Sequence, residues 1–176
     1  IRRQRQMCIR DRYNTIDGYR AAELNFSEIP AKELCKNSDA YNALLETLYA
    51  GAFALSAESI GAMQVCFNMT LEYLKTREQF GKPIGSFQAL QHRMIDIMIE
   101  IEQAKSAVML AAGTYEADKD TKYKNISAAK NLVGRAGKLV AEECIQLHGG
   151  IAMTWEYNLH NYAKRLVMID HLMGDS

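Results

Sequence analysis

Residues 48–63 read Leu48-Tyr49-Ala50-Gly51-Ala52-Phe53-Ala54-Leu55-Ser56-Ala57-Glu58-Ser59-Ile60-Gly61-Ala62-Met63, and this stretch decides the fold. It is apolar almost all round, the pattern of a helix buried on several sides. The helical spacing extends from about Asp39 to Tyr73. Ala50, Ala54, Ala57 and Gly61 put small side chains on one stripe, against which another helix can lie closely. Gly81, Pro83 and Gly85 then fall within Thr76 to Gly85 and end helical structure.

Three further helices are expected downstream. Ser86 stands at an N-cap position, and Phe87, Leu90, Met94, Ile97, Ile101, Ala104, Val108 and Ala111 recur behind it at helical spacing. A third helix is expected from about Lys124 to Leu147. Ile126, Ala129, Val133, Ala136, Val140 and Cys144 share one of its faces, and Gly149-Gly150 stops it. Thr154 is expected to cap a fourth, with apolar Leu159, Tyr162, Leu166 and Ile169. Four helices joined by short loops make an all-α, up-and-down four-helix bundle over residues 39–176.

Upstream the character changes. Residues 13–34 are polar, with turn signals at Asp17-Gly18 and Ile29-Pro30 and an alternation over Tyr19 to Phe26 that predicts a short strand. Residues 1–12 hold five arginines and one aspartate, a surplus of +4 that leaves −4 for the rest. Gln4-Arg5-Gln6-Met7-Cys8-Ile9-Arg10-Asp11-Arg12 resembles a translated sequencing-adapter scar, and such a segment is left out of fold reasoning.

The 176 residues and 48% hydrophobic content suit one domain with a sizeable core, or one domain plus a fragment of another. The missing initial Met suggests a truncated sequence. Lys+Arg and Asp+Glu are both 21, which gives no support to a nucleic-acid or anionic-membrane partner. No apolar run is expected to reach membrane-spanning length. Cys8, Cys35, Cys66 and Cys144 form no CxxC pair, so neither a zinc site nor a redox pair is expected. Scattered single thiols suit a reducing, cytoplasmic compartment.

Two loops stand apart from the packing stripes. Thr76 to Gln88 combines Arg77, the amides Gln79 and Gln88, and the rings Phe80 and Phe87. An arginine fork can hold a phosphate pair, amides can meet a base or ribose edge, and phenylalanines can pack on a planar ring. An ordinary polar loop with two core anchors is the alternative. In the second loop, Gln146-Leu147-His148-Gly149-Gly150, paired glycines allow a close ligand approach and expose backbone N–H groups, or simply stop a helix. His148 has no neighbour at metal-ligand spacing and is expected to cap or hydrogen-bond. His92, Arg93 and Asp96 are expected to form a polar cluster within one turn.

The order and separation of these loops resemble acyl-CoA dehydrogenases. The resemblance rests on Ala57 to Met63, Glu72 to His92 and Ile145 to Thr154, and covers roughly residues 13–176. Within that family it is most similar to the pimeloyl-CoA and steroid-side-chain branch, which often works as paired unlike subunits. It implies that residues 13–38 are the tail of a central β-domain and its linker, and that the bundle is the C-terminal domain. It implies FAD, gripped across a subunit boundary: Arg77 at the pyrophosphate, Gln79, Phe80, Phe87 and Gln88 around the adenosine end, and Gln146, Gly149 and Gly150 completing the hold. The reaction implied is α,β-dehydrogenation of an acyl-CoA thioester, in which a carboxylate removes the α-proton and the flavin takes the β-hydride. A homo- or hetero-oligomer is implied, and electron-transfer flavoprotein is the acceptor the family suggests.

The resemblance breaks at the base. The two family positions for the catalytic carboxylate fall on Gly174 and Gly51, neither of which can act. Glu58 and Asp175 are the nearby carboxylates. A non-catalytic subunit of a heteromer, a displaced base, or different flavin chemistry would each account for this. A helical interaction module without cofactor is the competing class; such a module has no reason to hold Arg77, Gln79, Phe80, Gln88 and Gln146 at this spacing.

Overall fold

The structure, a computed structural model, describes residues 8–27, 30, 32, 33 and 38–174. Two strands, β1 (Cys8–Asn14) and β2 (Arg20–Phe26), form an antiparallel hairpin running from Cys8↔Phe26 to Asn14↔Arg20. Gly18 turns the chain at φ 85°. Residues 8–12, set apart in the sequence reading, therefore pair along one edge of the expected strand. The pairing uses backbone groups, which any residue but proline offers. From residue 11 onward the ribbon is open to solvent on both faces apart from Thr15, Asp17 and Ala21, and a two-stranded ribbon alone is marginal in water.

The bundle follows: α1 (Ser38–Thr76), α2 (Gln88–Gly113), α3 (Lys119–His148) and α4 (Leu159–Asp170). At 1.5 Å per residue, the 39 residues of α1 span about 58 Å. Ala52, Ser56, Ser59, Met63, Cys66, Thr70 and Leu74 are its buried stripe. The hydroxyls of Ser56 and Thr70 donate to the carbonyls of Ala52 and Cys66, each at 2.7 Å, so the stripe can be buried despite its polarity.

Burial on several sides is not what α1 shows. Its three partner helices all lie on one side, and Ala54, Ala57 and Gly61 of the small stripe are exposed. The expectation of no membrane-length apolar run is also corrected. Asp39–Thr76 reaches a mean hydropathy of 1.2, long and apolar enough to cross a membrane by length and composition alone. Here the helix packs against α2, α3 and α4.

α3 is the central helix. All six residues of its expected face are buried, and Gly137 faces Leu166 of α4 at a distance where an added methyl would be in ordinary contact, 3.5 Å away. Val133, Ala136, Val140 and Cys144 join Met63, Ile97, Ile101, Leu159 and Leu166 in the main core, while Ile126 and Ala129 pack with Ala52 and Ala111 in a second cluster. Burial of each such aliphatic side chain is worth about 1.5–3 kcal/mol. The Asp118 carboxylate accepts from the Thr121 N–H at 3.0 Å, which starts α3 at Lys119, before the expected Lys124.

Ser86 and Thr154 do not cap helices. Each hydroxyl donates backwards, to Pro83 O at 2.7 Å and Ile151 O at 2.9 Å. Ser86 ends a 3₁₀ turn, Ile84–Ser86, and α2 begins only after Phe87. Thr154 follows a 3₁₀ turn, Gly149–Met153, and α4 begins after Asn158.

Candidate functional site

α1 ends in a miniature hairpin of β3 (Glu78–Gln79) and β4 (Lys82–Pro83), with Gln79 opposite Lys82. The Ile84 N–H donates to Arg77 O at 2.8 Å and closes it. Phe80 and Gly81 form the tip with φ of 55° and 77°, as a type I′ turn demands of both residues. Glycine adopts this freely; phenylalanine does so under strain. The strained Phe80 ring is 92% exposed, edge-on to Phe87 with centroids 6.2 Å apart. The Lys82 ammonium lies 4.4 Å from the Phe87 ring centre. A methyl on Gly85 would stand 2.9 Å from Leu74 O, so glycine alone lets the hairpin lie against α1. Arg77, Gln79 and Gln88 are exposed beside it, and the Gln79 amide donates to Glu78 O at 2.7 Å.

The second loop leaves α3 through Gly149, at φ 67°. The Gly149 N–H returns to the carbonyls of Ile145 and Gln146, so the helix stop uses it and the expected exposed donor is corrected at this residue. Gln146, Gly149 and Gly150 are exposed, and a methyl on either glycine would meet nothing within 4 Å.

His148 joins the two loops. Its ring stacks on Tyr73 of α1 with centroids 4.5 Å apart. Nδ1 lies 2.8 Å from Cys144 O and Nε2 lies 3.0 Å from the Tyr157 hydroxyl. A carbonyl can only accept, so Nδ1 carries the proton and Nε2 accepts from Tyr157. Burial lowers the imidazole pKa and favours this neutral form. Tyr73 precedes Arg77 by one helical turn and His148 directly precedes Gly149, so Arg77, Gln79, Phe80, Phe87, Gln88, Gln146, Gly149 and Gly150 gather at one end of the bundle. Sequence reasoning missed Tyr73 and Tyr157, whose only sign was an aromatic near each loop.

Gly51 and Gly174 lie elsewhere, linked through Met173, which Gly51 approaches and which lines a cleft with Gly174. A methyl on Gly51 would stand 3.2 Å from the Met173 side chain. A cleft of about 290 Å³ lies there, lined by Leu48, Ala52, Ile126, Lys130, Met173 and Gly174. The Lys130 ammonium donates to Gly174 O at 2.7 Å and Asp170 O at 2.9 Å. Neither glycine brings a carboxylate, and Asp175 lies outside the described residues.

Glu58 is committed to Arg165. Its two oxygens accept from the guanidinium at 2.6 and 2.8 Å. Arg165 also donates to Asp17 at 2.8 Å and lies 4.5 Å from the Tyr19 ring centre. The Arg165 hydrogen bonds outweigh desolvation and hold the Glu58 carboxyl below its usual range, which makes it a poor proton acceptor. Burial pushes Asp17 up, but hydrogen bonds from Thr15, Arg165 and the Tyr19 N–H together bring it down. Nor does Arg93 serve only a local cluster: it crosses to Glu143 of α3 at 2.6 Å, while His92 and Asp96 are exposed.

One end of this four-helix bundle thus offers an exposed guanidinium, amides and aromatic rings beside an open glycine loop. The chain belongs to the acyl-CoA dehydrogenase family: the family's C-terminal domain matches residues 41–175. Among similar proteins, acyl-CoA dehydrogenase IpdE2 of Mycobacterium tuberculosis is 47% identical over 114 residues, covering 65% of this chain and 34% of that protein. The solved Tcur3481-Tcur3483 steroid ACAD is 32% identical with a TM-score of 0.83, over 95% of this chain and 45% of the other. The ChsE4-ChsE5 complex from Mycobacterium tuberculosis is 25% identical with a TM-score of 0.82, over 96% and 45%. The chain thus spans about a third of its curated relative and under half of its solved ones.

Proposed function

We propose that this chain is the C-terminal part of an FAD-dependent acyl-CoA dehydrogenase subunit, and that its exposed bundle end grips FAD held mainly by a neighbouring subunit. The observation that carries the reading is the Tyr73–His148–Tyr157 contact, which brings two loops distant in sequence to one end of the bundle. FAD complexes occur among the structural neighbours. When bound, FAD supplies the two-electron acceptor for α,β-dehydrogenation of an acyl-CoA thioester. Arg77 is suited to its pyrophosphate; Gln79, Gln88 and Gln146 to polar edges; Phe80 and Phe87 to a planar ring.

The base comes from elsewhere. Gly51 and Gly174 supply no carboxylate, and Glu58 is neutralised by Arg165. These three observations favour a heteromer in which this subunit grips the cofactor and a partner chain carries the base. The ChsE4-ChsE5 complex is a precedent for pairing unlike chains. Electron-transfer flavoprotein is the proposed acceptor. The free, buried thiols of Cys66 and Cys144 support a reducing, cytoplasmic setting. The bundle alone is expected to be inactive.

The test is flavin content and acyl-CoA oxidation by the full-length protein, alone and with a partner chain that has glutamate at a base position. Bound flavin with activity only in the pair supports the heteromer. Activity of the protein alone removes it, and absence of flavin in both states removes the enzyme reading.

A further inference from the structure

We infer that His148 is a positioning residue that sets the two halves of the FAD clasp in register; this rests on the clasp reading above. His148 is 4% exposed, though imidazole is polar on two edges. Each edge and one face has a defined partner. Nδ1–H holds Cys144 O in the last turn of α3, while Nε2 receives the Tyr157 hydroxyl from beyond the glycine loop. The ring face lies on Tyr73 of α1, and Tyr73 also meets Tyr157 edge-on at 6.4 Å. The Tyr73 carbonyl in turn accepts the Arg77 N–H at 2.8 Å.

One imidazole therefore touches the last turn of each clasp helix and the return of the loop between α3 and α4. An aliphatic side chain would fill the space but could not select one ring orientation or tether Tyr157. Ala152 seats the far side of the glycine turn in the core, but Gly149 and Gly150 themselves are exposed with open space above them. The hairpin tip is equally bare, with Phe80 out in solvent. Loops this open keep a fixed separation only if their roots are joined, and His148 makes that joint.

The experiment is a double-mutant cycle on FAD affinity in the full-length protein, read by flavin fluorescence, with apoprotein melting measured alongside. His148→Phe keeps the stack and removes both hydrogen bonds. Tyr157→Phe keeps all ring packing and removes the hydroxyl alone, so it guards against misfolding. Each is expected to weaken FAD binding roughly three- to tenfold, the effect of losing one or two ordinary hydrogen bonds. Arg77→Ala should then cost less in either background than in the unaltered protein, because a misplaced hairpin has already lost part of the arginine contact. Strictly additive losses, or unchanged affinity with lowered melting, would overturn the positioning role and leave the clasp reading intact. Failure of the unaltered protein to bind FAD would overturn the clasp reading and this inference with it.

Discussion

β1–β2 pairs seven residues per strand and β3–β4 pairs two, yet the shorter hairpin is the better anchored. The long ribbon is largely open to solvent on both faces and is tethered to the bundle at its turn, where Arg165 bridges Asp17 to Glu58 and lies over the Tyr19 ring. The short one lies against α1 at Gly85, closes on Arg77 O, and continues into α2 through Phe87. Anchorage follows from what a hairpin's ends and turn touch, and ladder length adds little. Among the described contacts the ribbon is held chiefly at its turn, by Arg165 against Asp17 and the Tyr19 ring; the short hairpin is held by backbone sterics and an aromatic joint.

The comparison breaks most readily at Arg165. Arg165→Met leaves Asp17, whose side chain is 1% exposed, without its cation. A loss of about 3 kcal/mol is expected, confined to the ribbon. Hydrogen exchange should show residues 8–26 opening while the amides of α2 and α3 stay protected. Equal loss of protection throughout would mean that the ribbon is not held chiefly at its turn.

At the clasp, Gly85→Ala forces a methyl onto Leu74 O and should cost about 1–3 kcal/mol in thermal or urea denaturation. Gly150→Ala, into open space, should stay within about 0.5 kcal/mol. Comparable losses at the two glycines would contradict the claim that sterics fix only the hairpin. Phe80→Gly should act in the opposite sense. It relieves a left-handed phenylalanine and should stabilise the fold by about 1 kcal/mol, while weakening FAD retention by the full-length protein. A loss of stability would mean that the ring is anchored despite its exposure.

The smallest effect separates the two regions by pH. The His148 pKa is lowered from 6.5 by burial, so the unfolded chain binds the proton more readily. The stability that neutral His148 contributes is complete above 6.5 and declines as pH falls toward the lower folded value. Asp17 and Glu58 are held below 3.8 and 4.5, so their contribution is complete above those values and declines only as pH falls below them. Urea midpoints at pH 7 and 5 should drop in the unaltered protein and drop less in His148→Phe, while ribbon exchange stays unchanged over the same range. Ribbon release between pH 7 and 5 would sink the ordering.

What the sequence made legible was periodic. The α3 face from Ile126 to Cys144 and the α2 positions Met94, Ile97, Ile101, Ala104 and Ala111 are buried where a 3.6-residue period places them. Capping was less legible, because Ser86 and Thr154 can donate backwards as well as accept forwards, and composition does not say which. The small stripe of α1 was misread for a related reason: periodicity marks a face that favours close contact, but not which chain supplies the contact. Glu58 stood in the sequence only as a carboxylate near the base positions; its pairing with Arg165, 107 positions away, leaves no local sign. The joint between Tyr73 and His148 spans a comparable gap and leaves no local trace.

The length of α1 has a further consequence. Gly51 and Tyr73 sit on one unbroken helix, 22 residues and about 33 Å apart. Each residue added between them would move one end about 1.5 Å and rotate it by about 100° relative to the other. Insertions or deletions of seven or eleven residues, each within about 20° of whole turns, would come closest to preserving the phase. The interval between Gly51 and the Tyr73 joint is therefore set by the helix period, and either end can be altered far more easily than the spacing that separates them.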